Sequence, residues 1–151
     1  MKKLNYNINI QAPVEKVFKT MLGLEDPATY EFWTAEFNPT SAYEGSWEKG
    51  SKIYFTGVHE GKKGGMVAEI KEHIPNQFIS IRHYGILDGD QEITSGAEVE
   101  KWAGCRENYA FEENNGVTTV SVEVDTVDEH IGYFEETWPK ALNKLKEISE
   151  N

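Results

Sequence analysis

Residues 126–151, TVDEHIGYFEETWPKALNKLKEISEN, decide how the rest of the chain is read. Ile131, Phe134, Trp138, Leu142, Leu145 and Ile148 recur at steps of three and four, the spacing that sets side chains on one face of an α-helix. A helix with one apolar face needs a surface to lie against. Thr126-Val127-Asp128-Glu129 has the Thr-x-x-Glu spacing of a capping box, in which hydroxyl and carboxylate each satisfy a free backbone donor. Acidic residues crowd the first half and Lys140, Lys144 and Lys146 the second, the polarity that the helix dipole favours. Pro139 removes one hydrogen bond inside the run, which predicts a kink there or a helix whose regular part begins near Trp138.

The surface for that helix is written in the preceding residues. Leu4, Tyr6, Ile8 and Ile10 alternate with asparagines over Lys3 to Gln11, a half-buried strand. Pro13 then opens a short amphipathic helix carrying Val14, Val17, Phe18, Met21 and Leu22, stopped at Gly23. Asp26-Pro27 opens a second short helix to about Thr34, with Tyr30, Phe32 and Trp33 on it. From Phe37 onward β-type runs alternate with turn residues: Thr40 to Trp47, Lys52 to His59, Met66 to His73, Gln77 to Ile86, Arg106 to Glu113 and Val117 to Asp125. The separators Gly61-Lys62-Lys63-Gly64-Gly65, Pro75-Asn76 and Asn114-Asn115-Gly116 make this an antiparallel meander. Leu87 to Gly104 interrupts it as a long loop or lid, anchored by Trp102. The expected architecture is α+β: a curved antiparallel sheet of about six to seven strands wrapped on a long C-terminal helix, with two short helices after the first strand, all in one domain over residues 1–151.

Composition narrows the function. With 26 acidic against 15 basic residues the formal charge is −11, and no basic run exceeds a pair such as Lys62-Lys63, so a nucleic acid partner and an anionic membrane surface are both disfavoured. No run approaches the ~18 apolar residues of a membrane span. The single cysteine, Cys105, cannot form an internal disulfide, which together with the start of the chain leads us to expect a cytoplasmic protein.

The element order, with IQAPVEKVF (10–18), YEGSWEKGSKIYF (43–55) and YFEETWPKALNKLKEI (133–148), resembles the START-like helix-grip superfamily, known as SRPBCC. Within it the likeness is to small bacterial proteins related to the C-terminal domain of the activator of the Hsp90 ATPase. It covers essentially the whole chain, and it rests on diffuse patterns rather than a catalytic signature. The resemblance implies a cavity between the curved sheet and the C-terminal helix, in a superfamily that includes lipid and hormone carriers, polyketide cyclases and stress proteins. Three roles follow as expectations: binding of a small apolar or aromatic molecule, contact with a chaperone as a co-chaperone-like module, or a cyclase- or hydrolase-like reaction in the same cavity. Either a monomer or a homodimer fits.

No metal-ligand, phosphate-loop or nucleophile motif is present, and neither a metal nor a cofactor is expected. What remains is parity along the strands. Ile79 and Ile81 place His83 inward, Tyr109 and Phe111 place Glu107 inward, and Ile53 and Phe55 put His59 on their face. His83 and Glu107 are thus the candidate acid and base, or ligand hydrogen-bonding groups, on an apolar wall. Cys105 beside Arg106 reads either as an activated thiol or as a small buried hydrophobe. The candidate ligand-binding set is aromatic: Trp33, Phe37, Tyr43, Trp47, Phe55, Tyr109, Phe134 and Trp138, joined by His83 and Glu107.

Overall fold

In the computed structural model, which describes residues 1–151, the alternating N-terminal run becomes strand β1 (Lys2–Ile10). Pro13 leads into helix α1 (Val14–Leu22), which buries Val17, Phe18, Met21 and Leu22 and stops at Gly23 in a left-handed conformation. Asp26 caps α2 (Pro27–Thr34), its carboxylate accepting the Ala28 amide at 3.0 Å. The meander follows as β2 (Ala42–Gly45), β3 (Lys52–His59), β4 (Lys62–Ile74), β5 (Phe78–Asp88) and β6 (Gln91–Ile93). After a single turn of helix, α3 (Ala97–Glu100), come β7 (Cys105–Asn114) and β8 (Val117–Thr126). A 3₁₀ turn at Asp128–His130 then leads into α4 (Ile131–Ser149). The sheet is antiparallel throughout, in the order β1-β8-β7-β5-β4-β3-β2, with β6 paired to β5.

Three sequence expectations need correction. Residues Lys62 to Gly65, expected in a turn, are the first part of β4 and pair with His59, Val58, Gly57 and Thr56. The turn needs only Glu60 and Gly61, both at positive φ, the two-residue geometry whose twist suits a hairpin. Gly65 is required by close approach, since a Cβ there would lie 1.9 Å from the Phe55 carbonyl oxygen. The stretch Leu87 to Gly104 is not a plain loop: it continues β5 to Asp88, adds β6 and contains α3. Its deepest anchor is Val99 at 1 % exposure, with Leu87 also buried, while Trp102 is only half-buried. A three-residue strand and a one-turn helix are too short to leave a period in sequence. This lid crosses Gly85, where a Cβ would meet the Ile93 carbonyl oxygen at 3.1 Å and the Val67 side chain at 3.2 Å.

The capping box is the third. Thr126 is the last residue of β8, paired with Lys2, and its hydroxyl bonds the Val127 carbonyl; no side chain caps the 3₁₀ turn or α4. Strand pairing holds Thr126 in the sheet and moves the helix start to Ile131. Of the two forms expected at Pro139, the late start does not occur, for α4 runs from Ile131 to Ser149 with Pro139 inside it.

Two bulges matter for the site. Opposite Val67 and Ala68 the β5 register passes from Gly85 to His83, leaving Tyr84 unpaired, and opposite Ser80 and Ile81 the β4 register skips Lys71. After Tyr84 the in-out alternation is displaced by one, so His83 and Ile86, three apart, both face the space under α4. That inner face, α1, α2 and α4 enclose one apolar cluster containing Ile10, Met21, Trp33, Ile81, Leu142 and Leu145. No helix is long and apolar enough to cross a membrane.

Candidate functional site: an aromatic cavity under α4

Beneath the N-terminal half of α4 lies a cavity of about 670 Å³. Its walls come from α2 and the residues after it, from β3, β4, β5, β7 and β8, and from α4. His59 and His130, both exposed, stand at its rim, so it opens to solvent.

Rings form most of the wall. Trp33 is 1 % exposed and fixed by its indole N–H, which donates to the Met21 carbonyl at 2.9 Å. Trp138 meets it at a centroid distance of 5.8 Å, and Phe37 meets Trp138 edge-on at 4.9 Å. Tyr109 lies 6.3 Å from each indole. These tilted and edge-to-face arrangements are the ones aromatic quadrupoles prefer, so the wall is mutually supporting. Tyr133 donates from its hydroxyl to the Phe37 carbonyl at 2.8 Å, tying the segment after α2 to α4. Phe55 and Phe134, both half-buried, complete the aromatic lining.

One polar row crosses this wall. His83 Nε2 lies 3.1 Å from Glu107 Oε1, and the Tyr109 hydroxyl donates to Glu107 Oε2. The two strand parities therefore bring together the pair that sequence placed inward. Burial and then the negative charge of Glu107 push the Tyr109 phenol well above its ordinary range, and the same two causes act in that order on Tyr30. His83 Nδ1 is buried without a partner. In the contact with Glu107, Nε2–H donates to the carboxylate.

Eight of the ten residues proposed from sequence line the cavity: Trp33, Phe37, Phe55, His83, Glu107, Tyr109, Phe134 and Trp138. Tyr43 and Trp47 do not. Tyr43 donates from its hydroxyl to the Gly23 carbonyl at 3.0 Å and packs edge-on against Tyr30 at 5.0 Å, and Trp47 packs on both of those rings. Tyr30, not carried into the sequence set, is the ring that lines the cavity there; its spacing of three from Trp33 on α2 was the available signal. Ile86 was hidden by the bulge at Tyr84, and Trp102 reaches the cavity from the lid. Cys105 also lines it, but as a protonated thiol: burial, then the charge of Asp125, pushes it up to about 11. Arg106 gives it no activation, because its guanidinium turns to Ser80 Oγ at 3.2 Å. No group of three or more His, Cys, Asp or Glu side chains is arranged to hold a metal ion.

The same architecture recurs in solved structures. The Aha1 dimer from Colwellia psychrerythraea is 22% identical, with a TM-score of 0.69 over 99% of this chain and 97% of that one. A protein from Chromobacterium violaceum is 15% identical, with a TM-score of 0.67 over 100% and 99%. CalU16 from Micromonospora echinospora is 16% identical, with a TM-score of 0.62 over 97% of this chain and 75% of that one. At these identities the likeness is one of fold, and no curated protein matches the chain. Residues 11–150 match the model of the activator of Hsp90 ATPase homolog 1-like proteins, and with its helix-grip fold the chain belongs to that family.

Proposed function

We propose that the protein, acting as one domain over residues 1–151 in the cytoplasm, binds one small apolar or aromatic molecule in the cavity under α4. The observation that carries this reading is an aromatic wall interrupted at one place by a hydrogen-bonded His83–Glu107–Tyr109 row. A volume of about 670 Å³ lies within the roughly 300–1,000 Å³ usual for ligand pockets, and a few convergent polar groups on an apolar lining are how such pockets orient a guest. The fold is consistent with ligand-binding and with polyketide-cyclase-like proteins. Native mass spectrometry of the purified protein and a thermal-shift screen of lipids and aromatic metabolites test the reading. A ligand at about 100 times its Kd stabilises by about 2.7 kcal/mol, a shift of several degrees. Trp138→Ala should abolish that shift and Trp47→Phe, away from the cavity, should keep it; if no compound moves the melting temperature the reading fails.

A second reading uses the 3.1 Å contact between His83 and Glu107 as an acid–base pair for a cyclase- or hydrolase-like reaction. Turnover of a poly-β-carbonyl thioester that Glu107→Gln removes would support it. Homodimerisation, which the Colwellia relative's description as a dimer suggests, and chaperone docking through the acidic surface complete the proposal. Analytical ultracentrifugation tests the first, and a pull-down at low ionic strength the second.

A further inference from the structure

The charges around the cavity are lopsided. Of the lining carboxylates, Asp125 is spent: it accepts the Arg106 amide at 3.0 Å and the Lys3 ammonium at 3.1 Å. The guanidinium of Arg106 is engaged with Ser80, and no lysine lines the cavity. The Thr34 hydroxyl is committed to the Tyr30 carbonyl at 2.7 Å. Glu107 is different. It receives one donor on each oxygen, from His83 and Tyr109, and its side chain remains 23% exposed. A carboxylate has about four acceptor sites, so it retains capacity for a further donor. No lysine stands beside it and the one lining guanidinium, that of Arg106, turns to Ser80, while the phenols of Tyr30 and Tyr109 both feel the carboxylate's charge. The same carboxylate is bonded to the hydroxyl of Tyr109, whose ring packs on Trp33 and Trp138.

We infer that the cavity selects an organic cation with an aromatic or lipophilic body, its ammonium on Glu107 and its body against the Trp33–Trp138 wall, and that it rejects the corresponding carboxylates. This inference rests on the ligand-binding reading above and names the ligand class for it. An amine replaces its lost hydration with a charge-assisted hydrogen bond to Glu107 and with the faces of aromatic rings, which attract cations. A fatty or aromatic acid would instead bring a second negative charge beside that of Glu107, on an otherwise apolar wall.

Three probes with one body separate the terms: 4-phenylbutylamine, 4-phenylbutanol and 4-phenylbutyrate, titrated calorimetrically into the full chain. The amine should bind tighter than the butyrate by roughly tenfold or more, the worth of one hydrogen bond to a charged group, with the alcohol between them. Glu107→Gln, which keeps an acceptor for Tyr109, should bring the amine-to-butyrate ratio near one. Glu25→Gln removes the same unit of charge from an exposed position and should leave the ratio unchanged, which separates the site from the general attraction of an acidic protein. Circular dichroism and melting temperature establish that both variants fold. Should the alcohol bind and the amine bind no better than the butyrate, or should Glu107→Gln preserve the ratio, this inference is overturned while the ligand-binding reading stands. If none of the three binds, this inference falls, and the ligand-binding reading is judged by the wider thermal-shift screen.

Discussion

The two halves of α4 face the same sheet with the same apolar spacing, yet one is packed solid and the other roofs a cavity. Ala141, Leu142 and Leu145 are at most 2% exposed and share a cluster with Val17, Met21 and Leu22 of α1, Trp33 of α2, and Ile10. Ile131, the first residue of the helix, and Phe134, less than a turn further on, are only half-buried, and Phe134 borders open space. The difference lies in what the rest of the chain supplies beneath. Helix α1 and the buried side of α2 fill the closed end, whereas the far end has the curved strands, the cavity-facing rings of Tyr30 and Trp33, the half-buried Phe37 and Phe55, and the polar row. A helical apolar stripe therefore specifies a face that must be covered, and leaves open whether protein or ligand covers it.

Truncations at the two ends should separate them most widely. Leu142→Ala removes a buried side chain from the main apolar cluster and should cost about 2–5 kcal/mol in urea unfolding. Phe134→Ala, at the open end, should cost about 1 kcal/mol or less, because its ring already has space on one side, and should instead weaken ligand binding. Equal losses at both positions would mean that the cavity closes in solution and that the helix is core throughout.

How far sequence reached follows the same division. The closed end was legible because periodicity and burial coincide there: β1, α1, α2 with its Asp26 cap, and Leu142 and Leu145 on α4 stand where spacing put them. At the open end parity carried as far as His83 and Glu107, since both precede any register change in their own strands. It failed one residue later, at Tyr84, because a bulge is a backbone event that leaves no period behind. Tyr43 and Trp47 were misplaced for another reason. Their aromatic character promised burial correctly, but burial behind Tyr30 and burial against a cavity look alike in sequence. Thr126 shows the limit of a motif: a Thr-x-x-Glu spacing is a cap only where the strand before it has already ended.

Alkali should distinguish the halves next. The unfolded phenol titrates near pH ~10. Below that pH both states hold the proton and these tyrosines contribute no pH dependence. Above it the unfolded chain releases protons that folded Tyr30 and Tyr109 retain, so stability falls as pH rises, by up to about 1.4 kcal/mol per pH unit for each phenol. Tyr6, stacked on the other side of the comparison against Trp138, is pushed up to about 12 by burial and then by the charge of Glu135, so its share accrues between about pH 10 and about 12. Urea unfolding repeated from about pH 9 upward should show Tyr109→Phe and Tyr6→Phe each flattening the decline, the latter only up to about 12. A decline that neither substitution alters would assign the alkaline sensitivity elsewhere.

The smallest effect is expected at the seam. Pro139 stands between Trp138, the last cavity-lining residue of α4, and Ala141, the first fully buried residue of the closed half. It has no N–H, so the carbonyl of Glu135 has no helical partner, and the two halves of the helix are joined by one hydrogen bond fewer than an unbroken run would have. Its ring is exposed, so Pro139→Ala removes no core contact and should stabilise the protein by about 1 kcal/mol, less than the ~3 kcal/mol of an unrelaxed helix interior because the chain has already adjusted to the ring. Hydrogen exchange gives the sharper reading. If the missing bond is what lets the roof of the cavity open independently of the packed end, the alanine variant should slow exchange over residues 131–138 while amides beyond Ala141 keep their rates. Uniform slowing along α4 would show that the helix opens as one body, and the difference between its halves would then be one of packing alone.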